Sequence, residues 1–137
     1  MPIKPMEPVV ETEIFLALTS PFPLSPVVAT QVIKAISSQA AAGVFPGTPP
    51  IPIVPAGFPV ALATYIAVLE LNPPDTSIAA LGFAQSVALV APQVPPSGFA
   101  TLRQQLQLSL DKNSDERETA SDWAKAVTNY FTAGGVQ

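Results

Sequence analysis

Residues 25–43 read SPVVATQVIKAISSQAAAG, and this stretch decides the fold class. Ser25 is placed to cap a helix. Pro26 falls at the first helical position, where a backbone N–H would have no intrahelical acceptor, and Gly43 supplies a left-handed stop. Between these signals Val28 or Ala29, Val32, Ile36 and Ala40 recur at helical spacing and line one apolar face.

Downstream the same punctuation repeats. PVALATYIAVLELNPP (59–74) is opened by Pro59, stopped by Pro73 and apolar nearly all round, which makes it a buried or a subunit-contact helix. DTSIAALGFAQSVALVAP (75–92) has Asp75 or Ser77 as its cap and Pro92 as its end, with Gly82 and several alanines permitting close helix approach. In PSGFATLRQQLQLSLD (96–111), Phe99, Leu102, Leu106 and Leu110 form one stripe. In NSDERETASDWAKAVTNYFTAGG (113–135), Ser114 is the cap, Asp115 and Glu116 sit in the first turn, and Gly134 ends the helix. Its apolar face is Ala120, Trp123, Val127 and Tyr130 or Phe131.

Upstream, Pro2, Pro5 and Pro8 predict an extended N-terminal arm over 1–8. VVETEIFLALTS (9–20) fits a helix or a strand by its pattern, and Glu11 and Glu13 near its start favour a short helix. SPFPLSP (20–26) then breaks the chain. No strand pair or hairpin-turn signal stands out. The expected fold is all-α: five or six short helices, with a long Pro-rich extended loop between the second and third. Beyond the arm, residues 9–137 form one helical domain that includes the apolar Pro-rich loop 44–58.

That loop lies within GVFPGTPPIPIVPAGFP (43–59), which holds six prolines and no charge. Linkers are ordinarily polar, whereas this segment interleaves its prolines with Val, Phe and Ile. Proline removes backbone donors and lowers the entropy lost on ordering, so such a segment can lie across an apolar surface with few N–H groups unpaired. The subunit-contact residues expected from it are Phe45, Pro46, Ile51, Ile53, Val54 and Phe58.

Composition supports the same reading. Of 137 residues, 12% are charged and 48% hydrophobic, against roughly 25% charged in an average domain. No charge falls between Lys34 and Glu70, and none between Asp75 and Arg103, while eight crowd into 111–125. The midsection therefore lacks the charged cover of a free monomer, so other subunits or lipid would cover it. With no histidine and no cysteine, the commonest near-neutral acid–base group and the commonest metal ligands are missing. Asp115, Glu116, Glu118 and Asp122 are the only cluster suited to acid–base or metal chemistry, and an acidic first turn with a solvated helix face accounts for them. No enzyme activity, cofactor or metal is expected. Six basic against ten acidic residues, without a stripe, do not suit nucleic acid as the main ligand. The N-terminus lacks the basic start and apolar run of a signal peptide.

The C-terminal ETASDWAKAVTNYFTAG (118–134) carries Trp123, Ala124, Ala126 and Tyr130 in a pattern that resembles a small-residue helix of small virion proteins of tailed bacteriophages. SQAAAGVFPGTPP (38–50), an alanine-rich helix running into a Pro-Gly turn, is similar in kind. The resemblance implies a structural subunit of capsid, neck, tail or baseplate, made in the host cytoplasm and located in the virion, with other virion proteins or copies of itself as partners. The alternative is a small membrane-associated protein using 58–92 as a helical hairpin. Residues 76–92, an uncharged run of seventeen, lie at the short end of the spanning range and lack basic anchors. A third reading is a soluble adaptor exposing the same patch.

Overall fold

Prolines that would break a helix interior here open one. Lys4–Met6 forms a 3-10 turn with Pro5 near its start, and α1 (Glu7–Leu18) follows directly with Pro8 in its first turn. First-turn N–H groups have no acceptor within the helix, so proline costs nothing there. The expected extended arm is thus replaced by helix over Lys4–Leu18, and Ile3 is buried. The 9–19 segment is helical, with Val10, Ile14 and Ala17 facing inward.

The structure, a computed structural model, describes residues 3–19, 25–71, 75–112 and 115–137. The remaining helices are α2 (Ser25–Ala42), α3 (Phe58–Leu71), α4 (Thr76–Val90), α5 (Phe99–Lys112) and α6 (Glu116–Ala133), with a second 3-10 turn at Pro96–Gly98. The all-α class holds. The break at 20–24, the Ser25 side-chain cap, the Pro73 stop and Ser114 lie outside the described residues. Asp75 caps α4: its Oδ1 accepts from Ser77 N–H at 2.9 Å and Ser77 Oγ–H at 2.8 Å. Asp115, placed in the first turn by the sequence reading, is itself the cap of α6 and accepts from Glu118 N–H at 2.8 Å.

Each helix packs on the next in sequence, α2 also meets α4, and α6 returns onto α1 to close the ring. The interior is filled from all six helices. Phe83 of α4 meets Trp123 of α6 edge-on, with centroids 4.8 Å apart, and Tyr65 of α3 lies 4.9 Å from Phe83 on its other side. Such pairs add ~0.5–1.5 kcal/mol beyond area burial. On the outside, the Arg117 guanidinium lies 4.5 Å over the Phe15 ring, joining α6 to α1.

The Pro-rich loop is not simply extended. It folds into a small antiparallel pair, β1 (Val44–Phe45) and β2 (Ile51–Pro52), in register Val44↔Pro52 and Phe45↔Ile51. Proline is compatible with this pairing for a specific reason. Val44 directs both its backbone groups away from Pro52: its N–H donates to Gln137 O at 3.0 Å, and its C=O accepts from Gln137 N–H at 2.9 Å. Pro52, lacking an N–H, therefore leaves no donor unpaired. The next bond of the pair is made by Ile53 N–H to Gly43 O, 3.2 Å.

Gly134 ends α6 as its C-cap, while one glycine assignment shifts. Gly43 is no left-handed stop; it is a close-approach point, where a Cβ would lie 2.5 Å from Val136 Cγ1 and 2.6 Å from Ile3 Cγ2. The left-handed residue is Gly135 (φ 92°), one place beyond Gly134. Gly135 N–H donates to Thr132 O and Val136 N–H to Phe131 O, both at 3.0 Å, which ends α6 in a Schellman motif and turns the chain towards β1.

Candidate interaction surface

The six residues expected to contact other subunits divide between positions turned into this chain's core and positions left exposed. Ile53 is only 3% exposed and belongs to this chain's own core. Phe45 and Phe58 are half-buried against that core. Pro46, Ile51 and Val54 are exposed. The segment is anchored on its own helices: Val54 N–H donates to Gln93 Oε1 at 2.7 Å, and Gly57 N–H to Val90 O at 3.1 Å. The apolar segment therefore lies with its inner face on its own chain and presents Ile51 and Val54 outward.

Beside it runs a second apolar surface. Val60, Thr64, Ala67 and Leu71 follow one another at helical spacing along the outer side of α3, and Ile78, Leu81, Gln85 and Leu89 do the same on α4. Val60 is 57% and Leu71 77% exposed. The two helices run antiparallel, because Gly57 at the start of α3 sits against Leu89 and Val90 at the end of α4. Mid-helix, Val68 of α3 fills the place where Gly82 of α4 has no side chain. Thr64, Gln85, Ala88, Leu89 and Phe99 share one shallow groove of about 380 Å³, so the outer rows of α3 and α4 open onto the same surface. Thr64 Oγ–H donates inward to Val60 O at 2.8 Å, leaving Gln85 as the unengaged polar side chain of these rows among the described residues. The sequence signal for this surface was α3 being apolar all round; the individual positions needed the helix phase that packing sets.

The acidic cluster is occupied by a lysine. Lys112 Nζ lies 2.9 Å from Glu118 Oε1 and 3.1 Å from Asp122 Oδ2, and Ser109 Oγ–H donates to the same Asp122 oxygen at 3.4 Å. Glu118 first, then Asp122, hold the Lys112 ammonium above its ordinary pKa. Among the described residues, no group of three or more His, Cys, Asp or Glu side chains is placed to hold a metal ion. Trp123, Ala124, Ala126 and Tyr130 are all buried, so the C-terminal motif serves this chain's core.

A larger groove, about 730 Å³, lies between α1 and α2 and is lined by Val9, Glu13, Val27, Gln31 and Lys34 among others. It is bridged by Gln31 Nε2–H donating to Glu13 Oε2 at 3.3 Å. Two smaller clefts between α5 and α6, of about 280 and 290 Å³, share Gln105 and Asn129. No family model matches the chain, and no curated protein or solved structure matches it.

Proposed function

We propose that this chain is a structural subunit of a large assembly, a component of a tailed-bacteriophage particle, whose neighbours cover its uncharged midsection. The observation that carries the reading is the placement of exposed apolar side chains. Ile51, Val54, Val60, Leu71, Ile78 and Leu89 all lie outside the chain's own core, in the part of the sequence poorest in charge. Scattered exposed apolar residues are ordinary, whereas rows of them on two neighbouring helices mark a surface that another molecule covers. The particle itself is supported by the resemblance of the C-terminal helix, whose motif residues build the fold and leave contact to α3, α4 and the hairpin.

The competing reading places 58–92 as a membrane-associated hairpin. α3 and α4 do pair as a hairpin, but with 14 and 15 residues they span about 21 and 22 Å, against ~30 Å of hydrocarbon. Among the described residues, no helix is long and apolar enough to cross a membrane.

Two measurements test the proposal. Peptide mass fingerprinting of particles purified from producing cells should find this chain at stoichiometric level. Native mass measurement of the full chain, alone and with particle proteins, should give an assembly that needs no detergent. Recovery only from detergent extracts favours the membrane hairpin, and a stable monomer that joins no particle overturns the subunit reading.

A further inference from the structure

Resting on the subunit reading, we infer that the outer face of α3 and α4 is a two-fold interface with a second copy of this chain, the two hairpins stacking face to face and antiparallel into a four-helix bundle. Three observations converge on a second copy as the occupant.

Charge distribution comes first. Along both rows the face carries no charged side chain from Val60 to Leu69 or from Ile78 to Leu89, and its nearby carboxylates, Glu70 and Asp75, sit together at the Leu71–Ile78 end. A two-fold axis lying in the interface plane, perpendicular to the helix axes, lays that acidic end over the uncharged Val60–Leu89 end of the other copy. Like charges are kept apart, and each carboxylate stays at the rim, in water.

Size is the second. Two helices of about 21 Å, each ~10 Å across, present roughly 400 Å² in plan. Side-chain relief raises the accessible area above that, and Ile51 and Val54, anchored beside the Val60–Leu89 end, extend it further. The face thus comes within about a factor of two of the ~800 Å² per partner of a standard interface, out of 7051 Å² for the whole chain.

Gln85 is the third. It lies near the middle of the α4 row, and a primary amide carries both donors and an acceptor. It is therefore a group that can pair with its own symmetry mate across the axis, which a lone carboxylate or ammonium cannot. Exposed Ala63 and Ala67 on α3 let the facing backbone come close.

The chain has no cysteine, so single-cysteine variants of the full chain report the arrangement directly. Mild oxidation should link Gln85→Cys into a covalent dimer in high yield, while Leu16→Cys, also exposed but on α1, should link little. In sedimentation equilibrium, Val60→Glu should weaken dimerisation by about tenfold or more, since it sets like charges against Glu70 and Asp75 of the other copy. Val60→Lys should weaken it clearly less, and both should keep the helical circular dichroism of the parent. A parent chain that is monomeric yet joins particles overturns this inference and leaves the subunit reading standing. An oligomer with no Gln85→Cys cross-link and equal effects of the two Val60 variants overturns it too, placing the contact on another surface.

Discussion

Gln39 of α2 donates its side-chain amide to Thr128 Oγ1 of α6 at 2.7 Å, across the interior and with Gln39 wholly inaccessible. The same nitrogen donates to Ile3 O at 3.2 Å, so one side chain ties α2, α6 and the N-terminal turn together. Gln39 Oε1 has no partner among the described residues. A buried amide half-satisfied in this way depends strongly on the bonds it does make. Thr128→Val should cost ~1–3 kcal/mol in urea denaturation, by stranding a donor. Replacing both residues, as Gln39→Leu with Thr128→Val, should recover much of that loss. A double variant as unstable as the sum of the two single ones would show that the pair is not coupled.

Gly57 holds the turn into α3 against the last turn of α4. A Cβ there would come within 2.8 Å of the Leu89 carbonyl carbon and closer still to its oxygen, and backbone cannot move aside as a side chain does. Gly57→Ala should therefore cost about 3 kcal/mol or more, by prying α3 from α4 and breaking the Gly57–Val90 hydrogen bond. At Gly47, where a Cβ would meet only Pro49 O at 3.4 Å, the same substitution should change stability by less than ~1 kcal/mol. Equal thermal midpoints for the two variants would contradict this.

How much of this was legible beforehand follows from which interactions are local. Helix α2, the stripe of α5 and the Trp123–Val127–Tyr130 face depend on periodicity within a dozen residues, and all appear as the sequence implies. The Asp75 cap is equally local. The β1–β2 pair was not legible, because no Asn-Gly or Asp-Gly turn announces it and its bonding partner for Val44 is Gln137, far along the chain. The helical start at Lys4–Met6 is hidden in the sequence because Pro5 and Pro8 read as helix blockers, although proline is favoured in a first turn. Ile51 and Ile53 are indistinguishable by composition and would share a face of a regular strand; β2 ends at Pro52, and Ile53 just beyond it enters the core while Ile51 stays in solvent.

Both tyrosines are buried, and burial raises the phenol pKa of each above the ordinary 10.0, Tyr65 the more strongly. Loss of the proton creates a charge that the interior disfavours. The unfolded chain thus releases these protons at lower pH than the folded one, so stability is intact below about pH 10 and falls as pH rises beyond it. Absorbance at 295 nm should show phenolate appearing together with loss of helical circular dichroism. Phenolate formation in a chain that stays folded would place at least one of these hydroxyls in contact with water.

The hairpin gives the cleanest separation between folding and assembly. Ile53 is buried among its own helices, so Ile53→Asp puts an unpaired carboxylate into the core and should cost upwards of ~3 kcal/mol, lowering the thermal midpoint of the isolated chain. Ile51, two residues earlier in β2, is 55% exposed. Ile51→Asp should leave stability within ~0.5 kcal/mol while reducing assembly measured by native mass, because the apolar surface it removes lies outside the chain's own core, on the face the proposed subunit role assigns to a neighbour. An Ile51→Asp chain that assembles as the parent does would take the hairpin out of the contact and leave α3 and α4 to carry it. Loss of assembly in Ile53→Asp alone has no such meaning, since that side chain supports the fold on which every contact depends.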